Sequence, residues 1–152
     1  MSINYVKGDA TKPITVGQNI IVHICNDIGK WGKGFVMCLS RKWPKVKKEY
    51  IEWYKNSDSN NFKLGEIQII KIDDNTYVCN MICERDIKHI NGIPPIRYEA
   101  LEECLNKLCD YNYNVHMPRI GCGLAGGKWE IIEDIINKTL IKNNIPVYVY
   151  DL

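Results

Sequence analysis

Residues 19–24 read Asn-Ile-Ile-Val-His-Ile, an apolar run with no alternation between one side-chain parity and the other. A strand half exposed to water alternates apolar and polar residues. A continuous run is the mark of a strand covered on both faces, as parallel strands in α/β sheets are. The rest of the chain supplies the cover. Strand signals at 3–7, 66–72, 76–82, 115–120 and 146–150 alternate with helix signals at 35–43, from Pro44 onward, 97–110 and 129–142. Phe35, Cys38 and Leu39 share one helical face, as do Val46, Tyr50 and Trp53. The next two helices present Ala100, Leu101, Cys104, Leu105 and Leu108, and Ile132, Ile135, Ile136 and Leu140. Pro44 suits the first position of a helix. Asp73-Asp74-Asn75 joins two strands as a hairpin turn, so the sheet is mixed, and Glu84 to Pro95 reads as a long loop. The expected class is α/β, with helices on both faces of a central mixed sheet. No repeat, linker or low-complexity tract interrupts the pattern, and residues 1–152 are expected to form a single domain.

Composition narrows the function classes. The chain of 152 residues is 45% hydrophobic and 25% charged, with a net charge of +2. That balance gives no general reason to bind nucleic acid or a membrane. No stretch approaches the ~20 apolar residues of a membrane span. The start, Met-Ser-Ile-Asn-Tyr-Val-Lys-Gly-Asp, shows no basic leader followed by an apolar run. The cysteines number seven, form no Cys-x-x-Cys pair and lack histidines at zinc-knuckle spacing. Reduced thiols, mostly small buried hydrophobes, in a soluble cytoplasmic monomer are expected, with no metal and no cofactor.

Two glycine-punctuated loops, 29–34 and 121–127, each stand where an apolar strand gives way to a helix. Such junctions gather main-chain N–H groups and the positive end of a helix dipole, and glycine lets the backbone form an anion nest. Two of them can cradle the two phosphates of a diphosphate at the carboxyl ends of the strands. Gly121-Cys122-Gly123-Leu124-Ala125-Gly126 matches the G-x-G-x-x-G pattern in form, yet lies too late for the βαβ units that follow it in dinucleotide-binding folds. Gly127-Lys128-Trp129 lacks the Ser or Thr of a P-loop. The phosphates would be held by backbone.

Three polar side chains sit near these loops. Asp9, after the first strand, either accepts from an exocyclic amine such as that of adenine or closes an Asx turn before Thr11-Lys12-Pro13. Asn26 either holds a sugar hydroxyl or forms an Asn-Asp turn with Asp27. His23, inside the apolar strand, is either a hydrogen-bonded core residue or an acid–base catalyst.

These same residues carry a family resemblance. Val6-Lys7-Gly8-Asp9, the run His-Ile-Cys-Asn-Asp-Ile-Gly-Lys-Trp-Gly-Lys-Gly-Phe from 23 to 35, and His-Met-Pro-Arg-Ile-Gly-Cys-Gly-Leu-Ala-Gly-Gly-Lys-Trp from 116 to 129 resemble the macrodomains. These are three-layer α/β/α modules that bind ADP-ribose. Within them the chain is similar to the branch holding the yeast ADP-ribose-1''-phosphate phosphatase and the terminal ADP-ribose protein glycohydrolases. The resemblance implies that Asp9, with Ala10 beside it, meets the adenine and Asn26 the distal ribose. Gly32, Lys33, Gly34, Phe35 and Val36 would wrap the diphosphate from one side. Ile120, Gly121, Cys122, Gly123, Leu124 and Ala125 would close from the other. The glycohydrolases' catalytic aspartate is replaced by Ala125, and their lysine falls near Ile82 and Cys83, where none occurs.

Two functions follow as expectations. One is a hydrolase, with His23 and Asn26 as catalytic residues, that removes a phosphate or ester-linked adduct from the distal ribose; the other is a reader of ADP-ribose without turnover. Nucleic acid would enter only as an ADP-ribosylated substrate. The cluster Arg41, Lys42, Lys45, Lys47 and Lys48 reads as a solvated helix face.

Overall fold

The computed structural model describes residues 1–152. Six strands form one sheet: β1 (Asn4–Lys7), β2 (Asn19–Asn26), β3 (Ile67–Lys71), β4 (Thr76–Glu84), β5 (Asn114–Met117) and β6 (Val147–Asp151). Their order across the sheet is β1-β6-β5-β2-β4-β3, with only β3 antiparallel to its neighbour. β2 therefore lies between two parallel neighbours, as its unbroken apolar sequence requires.

The helices split between the two faces. Ile20 and Val22 of β2 pack with Leu101, Leu105 and Leu108 of α3 (Tyr98–Leu108) and with Ile132 and Ile136 of α4 (Trp129–Ile136). Ile21 and Cys25, on the opposite parity, pack with Leu39 of α1 (Phe35–Lys42) and with Val46, Tyr50 and Trp53 of α2 (Pro44–Lys55). Each fully buried Leu or Ile contributes roughly 1.5–3 kcal/mol, so neither layer is dispensable. α1 and α2 part at Trp43, which adopts φ −136° and ψ 85° ahead of Pro44. The proline ring disfavours the helical conformation in the residue before it.

Four expectations change. The strand expected at 115–120 ends at Met117, because Pro118 has no N–H for the ladder and the N–H of Ile120 folds back on the Pro118 carbonyl at 2.7 Å. The helix expected at 129–142 is α-helical only to Ile136 and continues as a π-helical turn over Asn137–Ile141. There the Thr139 hydroxyl donates to the Ile135 carbonyl at 2.7 Å, a back-bond that competes with the main-chain ladder. β4 runs past Ile82 to Glu84, since a bulge pairs Cys25 with Ile82 but Asn26 with Glu84. Cys38 is exposed, not core.

The long loop after β4 carries a turn of its own. Ile90 and Ile93 exchange two main-chain bonds at 3.0 Å around Asn91 (φ 53°) and Gly92 (φ 78°), the Asn-Gly hairpin geometry. This flap stands at the carboxyl edge of the parallel strands, beside both glycine loops. No helix is long and apolar enough to cross a membrane.

Candidate functional site

The first glycine loop is held by a single side chain. Asn26, buried at the end of β2, accepts on Oδ1 from the main-chain N–H groups of Ile28 (3.1 Å) and Lys30 (3.0 Å) and from the Tyr50 hydroxyl (2.9 Å). Its Nδ2 donates to the Lys30 carbonyl at 2.7 Å. Asn26 thus closes the loop on itself while Tyr50 anchors it to α2, and one amide hydrogen is left over. Farther on, the main-chain N–H groups of residues 32–36, which lead through Gly34 (φ 79°) into the first turn of α1, donate to no carbonyl of the fold. This is the usual state of a helix N-terminus, and it favours an anion.

The second loop is closed by backbone. The Gly127 N–H donates to Gly121 O at 2.7 Å, the Gly126 N–H to Gly123 O at 3.0 Å, and the Ile96 N–H at the root of the flap to Ala125 O at 3.1 Å. Gly121 has φ 75°, and a Cβ there would stand 2.6 Å from Cδ1 of Ile96. Within this cage the N–H groups of residues 121–125 also donate to no carbonyl.

Between the loops lies a cleft of two lobes. The smaller, about 250 Å³, is walled by His23, Lys33, Gly34, Phe35 and Val36 on one side and by Ile120, Gly121, Gly123, Leu124 and Ala125 on the other. The larger, about 590 Å³, brings in Asn26, Gly32 and Trp31 together with Ile87 and His89 of the flap. Leu124, 70% exposed, and Val36 border both. Three of the expected site residues, Asp9, Ala10 and Cys122, line neither lobe. Asp9 forms the Asx turn: Oδ1 accepts from the N–H and the hydroxyl of Thr11, both at 2.8 Å. Burial pushes its pKa up, but these bonds and the charges of Lys12 and Lys42 outweigh that and hold it low. Oδ2 stays open as an acceptor. Ala10 is buried, and the Cys122 thiol turns back toward the Ile120 carbonyl at 3.6 Å.

His23 is 2% exposed and its tautomer is fixed from a distance. Gln68 donates to the Glu49 carbonyl (3.0 Å), so its Oε1 accepts from Asn80 Nδ2 (3.0 Å). Asn80 is thereby left to accept on Oδ1 from His23 Nε2. Hence the proton sits on Nε2, and Nδ1 carries a lone pair with no partner. Burial lowers the His23 pKa to about 4, so the ring is neutral at pH 7. The other buried polar atom without a partner is Nε1 of Trp31, whose ring meets that of His23 edge-on at 5.5 Å. A donor and an acceptor each cost roughly 1–3 kcal/mol when left unpaired. A water or sugar hydroxyl has the complementary groups for both.

Sequence reasoning passed over Arg119 and Glu84. Arg119 lines the smaller lobe, grips Asp151 through two bonds of 2.8 and 3.0 Å, and lies over the rings of Tyr5 and Trp129. Glu84 lines both lobes. It follows the positions where the resemblance puts a lysine, and its only signal was its place at the end of an apolar strand. Burial, with the Asp27 charge added, raises its pKa to about 7. No group of three or more His, Cys, Asp and Glu side chains could hold a metal ion.

Comparison with known proteins matches this arrangement to others. The family model of the macro domain matches residues 22–136, which include both glycine loops. An ADP-ribose 1''-phosphate phosphatase from Lodderomyces elongisporus is 30% identical over 99% of this chain and all of its own length. Mouse chromodomain-helicase-DNA-binding protein 1-like is 32% identical over 98% of this chain, which spans only 18% of that longer protein. A solved structure from Bacteroides thetaiotaomicron, of a protein of unknown function, has a TM-score of 0.96 at 51% identity and covers 100% of this chain and 99% of its own. The chain belongs to the macro domain family.

Proposed function

We propose that this macrodomain binds ADP-ribose in the cleft and hydrolyses the bond between the distal ribose and a phosphate or ester-linked adduct. One observation carries the reading: two loops whose main-chain N–H groups at 32–36 and 121–125 have no acceptor in the fold wall opposite sides of a cavity of about 250 Å³, large enough for a diphosphate. Hydrogen bonds from neutral amides to a charged acceptor are strong, and glycine lets the backbone come close enough to make them. With the diphosphate there, the distal ribose extends toward Asn26 and the larger lobe, and the adenosine toward Arg119 and the free Oδ2 of Asp9. The full-length similarity to an ADP-ribose 1''-phosphate phosphatase supports the same substrate family.

The chemistry needs few side chains. Holding water and sugar in reacting geometry contributes on the order of 7–11 kcal/mol. The neutral Nδ1 of His23 can take the water's proton, and no metal ion or cofactor is required. We infer a cytoplasmic monomer that meets nucleic acid only as an ADP-ribosylated substrate.

Ala125 favours a second reading, a binding module without turnover, because it has no group to offer at the second loop. Calorimetry with ADP-ribose beside a release assay decides between them. The panel is ADP-ribose-1''-phosphate, O-acetyl-ADP-ribose and glutamate-, serine- and DNA-linked ADP-ribose. Micromolar binding with release from at least one substrate establishes the hydrolase; binding with none establishes the reader.

A further inference from the structure

Glu84 brings to the cleft a carboxyl group that has no partner in the fold. Its backbone is pinned on two sides: the Asp27 N–H donates to its carbonyl at 3.0 Å, and it bridges to Ile96 at the root of the flap. Arg85 and Arg97 add main-chain bonds to Pro95 and Cys83 at 2.9 and 2.8 Å. The carboxyl group itself is mostly buried, yet none of the fold's hydrogen bonds or ion pairs involves it, and it borders the space where the two lobes meet. A rigid mount with a free functional end is what a group that acts on a ligand needs.

Its surroundings set its charge. From β2 faces Cys25 and from α2 Tyr50, both uncharged at pH 7 because burial pushes their pKa values up; His23, which lines the same cleft, is neutral because burial lowers its pKa to about 4. From the loop after β2 faces Asp27, which accepts from the Asp86 N–H at 2.7 Å and lies 3.6 Å from Arg85. Lys30 and Lys33 of the first loop, His89 of the flap and Arg119 line the cleft without pairing with Glu84. Burial and the Asp27 charge both favour the protonated carboxyl, and the pKa of about 7 follows.

We propose that Glu84 is a catalytic proton donor and that the cleft accordingly acts on ADP-ribose joined to an alcohol oxygen. This rests on the hydrolase reading and extends its substrates from phosphates and esters to O-glycosides. A phosphate or carboxylate leaves C1'' as a stable anion, whereas an alkoxide must be protonated as it departs. As the C1''–O bond breaks, its electron pair stays on the departing oxygen and the Glu84 proton converts that oxygen to an alcohol. Water bonds to C1'' and gives a proton to Nδ1 of His23; the imidazolium, at a pH far above its pKa of about 4, releases that proton and the Glu84 carboxylate is reprotonated. ADP-ribose and the free alcohol leave, and the acid is restored.

The test compares the parent protein with Glu84→Gln on a serine-linked ADP-ribosyl peptide and on ADP-ribose-1''-phosphate, with ADP-ribose binding by calorimetry. The parent is expected to cleave the serine-linked peptide, with kcat/KM falling tenfold per pH unit above about pH 7. Glu84→Gln should lower that kcat at least 100-fold, bind ADP-ribose within threefold of the parent, and lose at least tenfold less on the phosphate. Equal losses on both substrates, or an unaffected serine-linked rate, would overturn the role of Glu84. So would a parent that cleaves the phosphate but not the peptide. A parent that binds ADP-ribose and cleaves neither overturns the proton donor; one that also releases nothing from O-acetyl-, glutamate- or DNA-linked ADP-ribose overturns the hydrolase reading itself.

Discussion

His23 and Asn80 stand opposite each other in register on β2 and β4, and the imidazole donates from Nε2 to the amide oxygen of Asn80. The direction of that bond is inherited through Gln68 from a main-chain carbonyl of α2, so the position of the proton on His23 is decided at the far edge of the sheet. Asn80→Ala leaves the Nε2–H buried and unpaired and takes the donor from the half-buried Gln68 Oε1. A loss of about 2–4 kcal/mol in urea unfolding is expected. In the parent, nitrogen NMR should show one neutral tautomer from pH 5 to 8; a titration inside that range would contradict the burial argument.

The clamp at Asn26 separates two roles that sequence alone leaves merged. Its oxygen is fully engaged by Ile28, Lys30 and Tyr50, so Asn26→Ala opens the loop. ADP-ribose affinity should fall at least tenfold along with turnover. Tyr50→Phe removes only the hydroxyl, which also bonds the Asn26 carbonyl at 2.8 Å. It should cost about 1–2 kcal/mol of stability and weaken binding by less than Asn26→Ala does. If Asn26→Ala kept full affinity and lost only turnover, the side chain would be acting on the sugar and not on the loop.

What the sequence disclosed, and what it withheld, follows from the range of the interactions. The double-sided burial of β2 and the inward faces of α2, α3 and α4 were legible because each is written in residues a turn or two apart. Both glycine loops were legible for the same reason. The bulge that carries Glu84 into the cleft was not, since it depends on register between β2 and β4. Nor was the tautomer of His23, set by Asn80 and Gln68 on two other strands. Asp9 was ambiguous for a different reason: its Asx turn and its free Oδ2 coexist, and no local pattern separates them.

Gly121 and Gly127 test the second loop. Alanine at 121 must take φ 75° and place its Cβ 2.6 Å from Ile96 and 2.9 Å from Ile132. Alanine at 127 has no such φ, but its Cβ would lie 2.5 Å from the main-chain oxygen of Gly121, the acceptor of the bond that closes the loop. Both variants should bind ADP-ribose at least tenfold more weakly. Gly121→Ala, strained and crowded by core side chains, should also lose about 1–3 kcal/mol of stability. Gly123→Ala is the control, because open space surrounds its Cβ; an equal loss of stability there would deny the loop its special geometry.

Stability should follow pH through three groups of opposite sign. His23 and His116 have folded pKa values of about 4, both lowered by burial, against an ordinary 6.5. Between those values the unfolded chain binds more protons, so stability rises as pH increases from about 4 to 6.5. At about 1.4 kcal/mol per unit, His23 and His116, both fully buried, each contribute roughly 3 kcal/mol. Glu84 runs the other way: its folded pKa of about 7 exceeds the ordinary 4.5, so the folded state holds the extra proton and stability falls as pH rises from 4.5 to 7. Two histidines outweigh one carboxyl up to pH 6.5, and above it only Glu84 still titrates. Thermal unfolding from pH 4 to 8 should therefore show Tm climbing, cresting near pH 6.5 and dipping by pH 8. In Glu84→Gln the dip should vanish, and relative to the parent the variant should gain about 2 kcal/mol between pH 5 and pH 8. A parent and variant whose Tm curves run parallel through pH 7 would mean that Glu84 is already ionised in the folded protein.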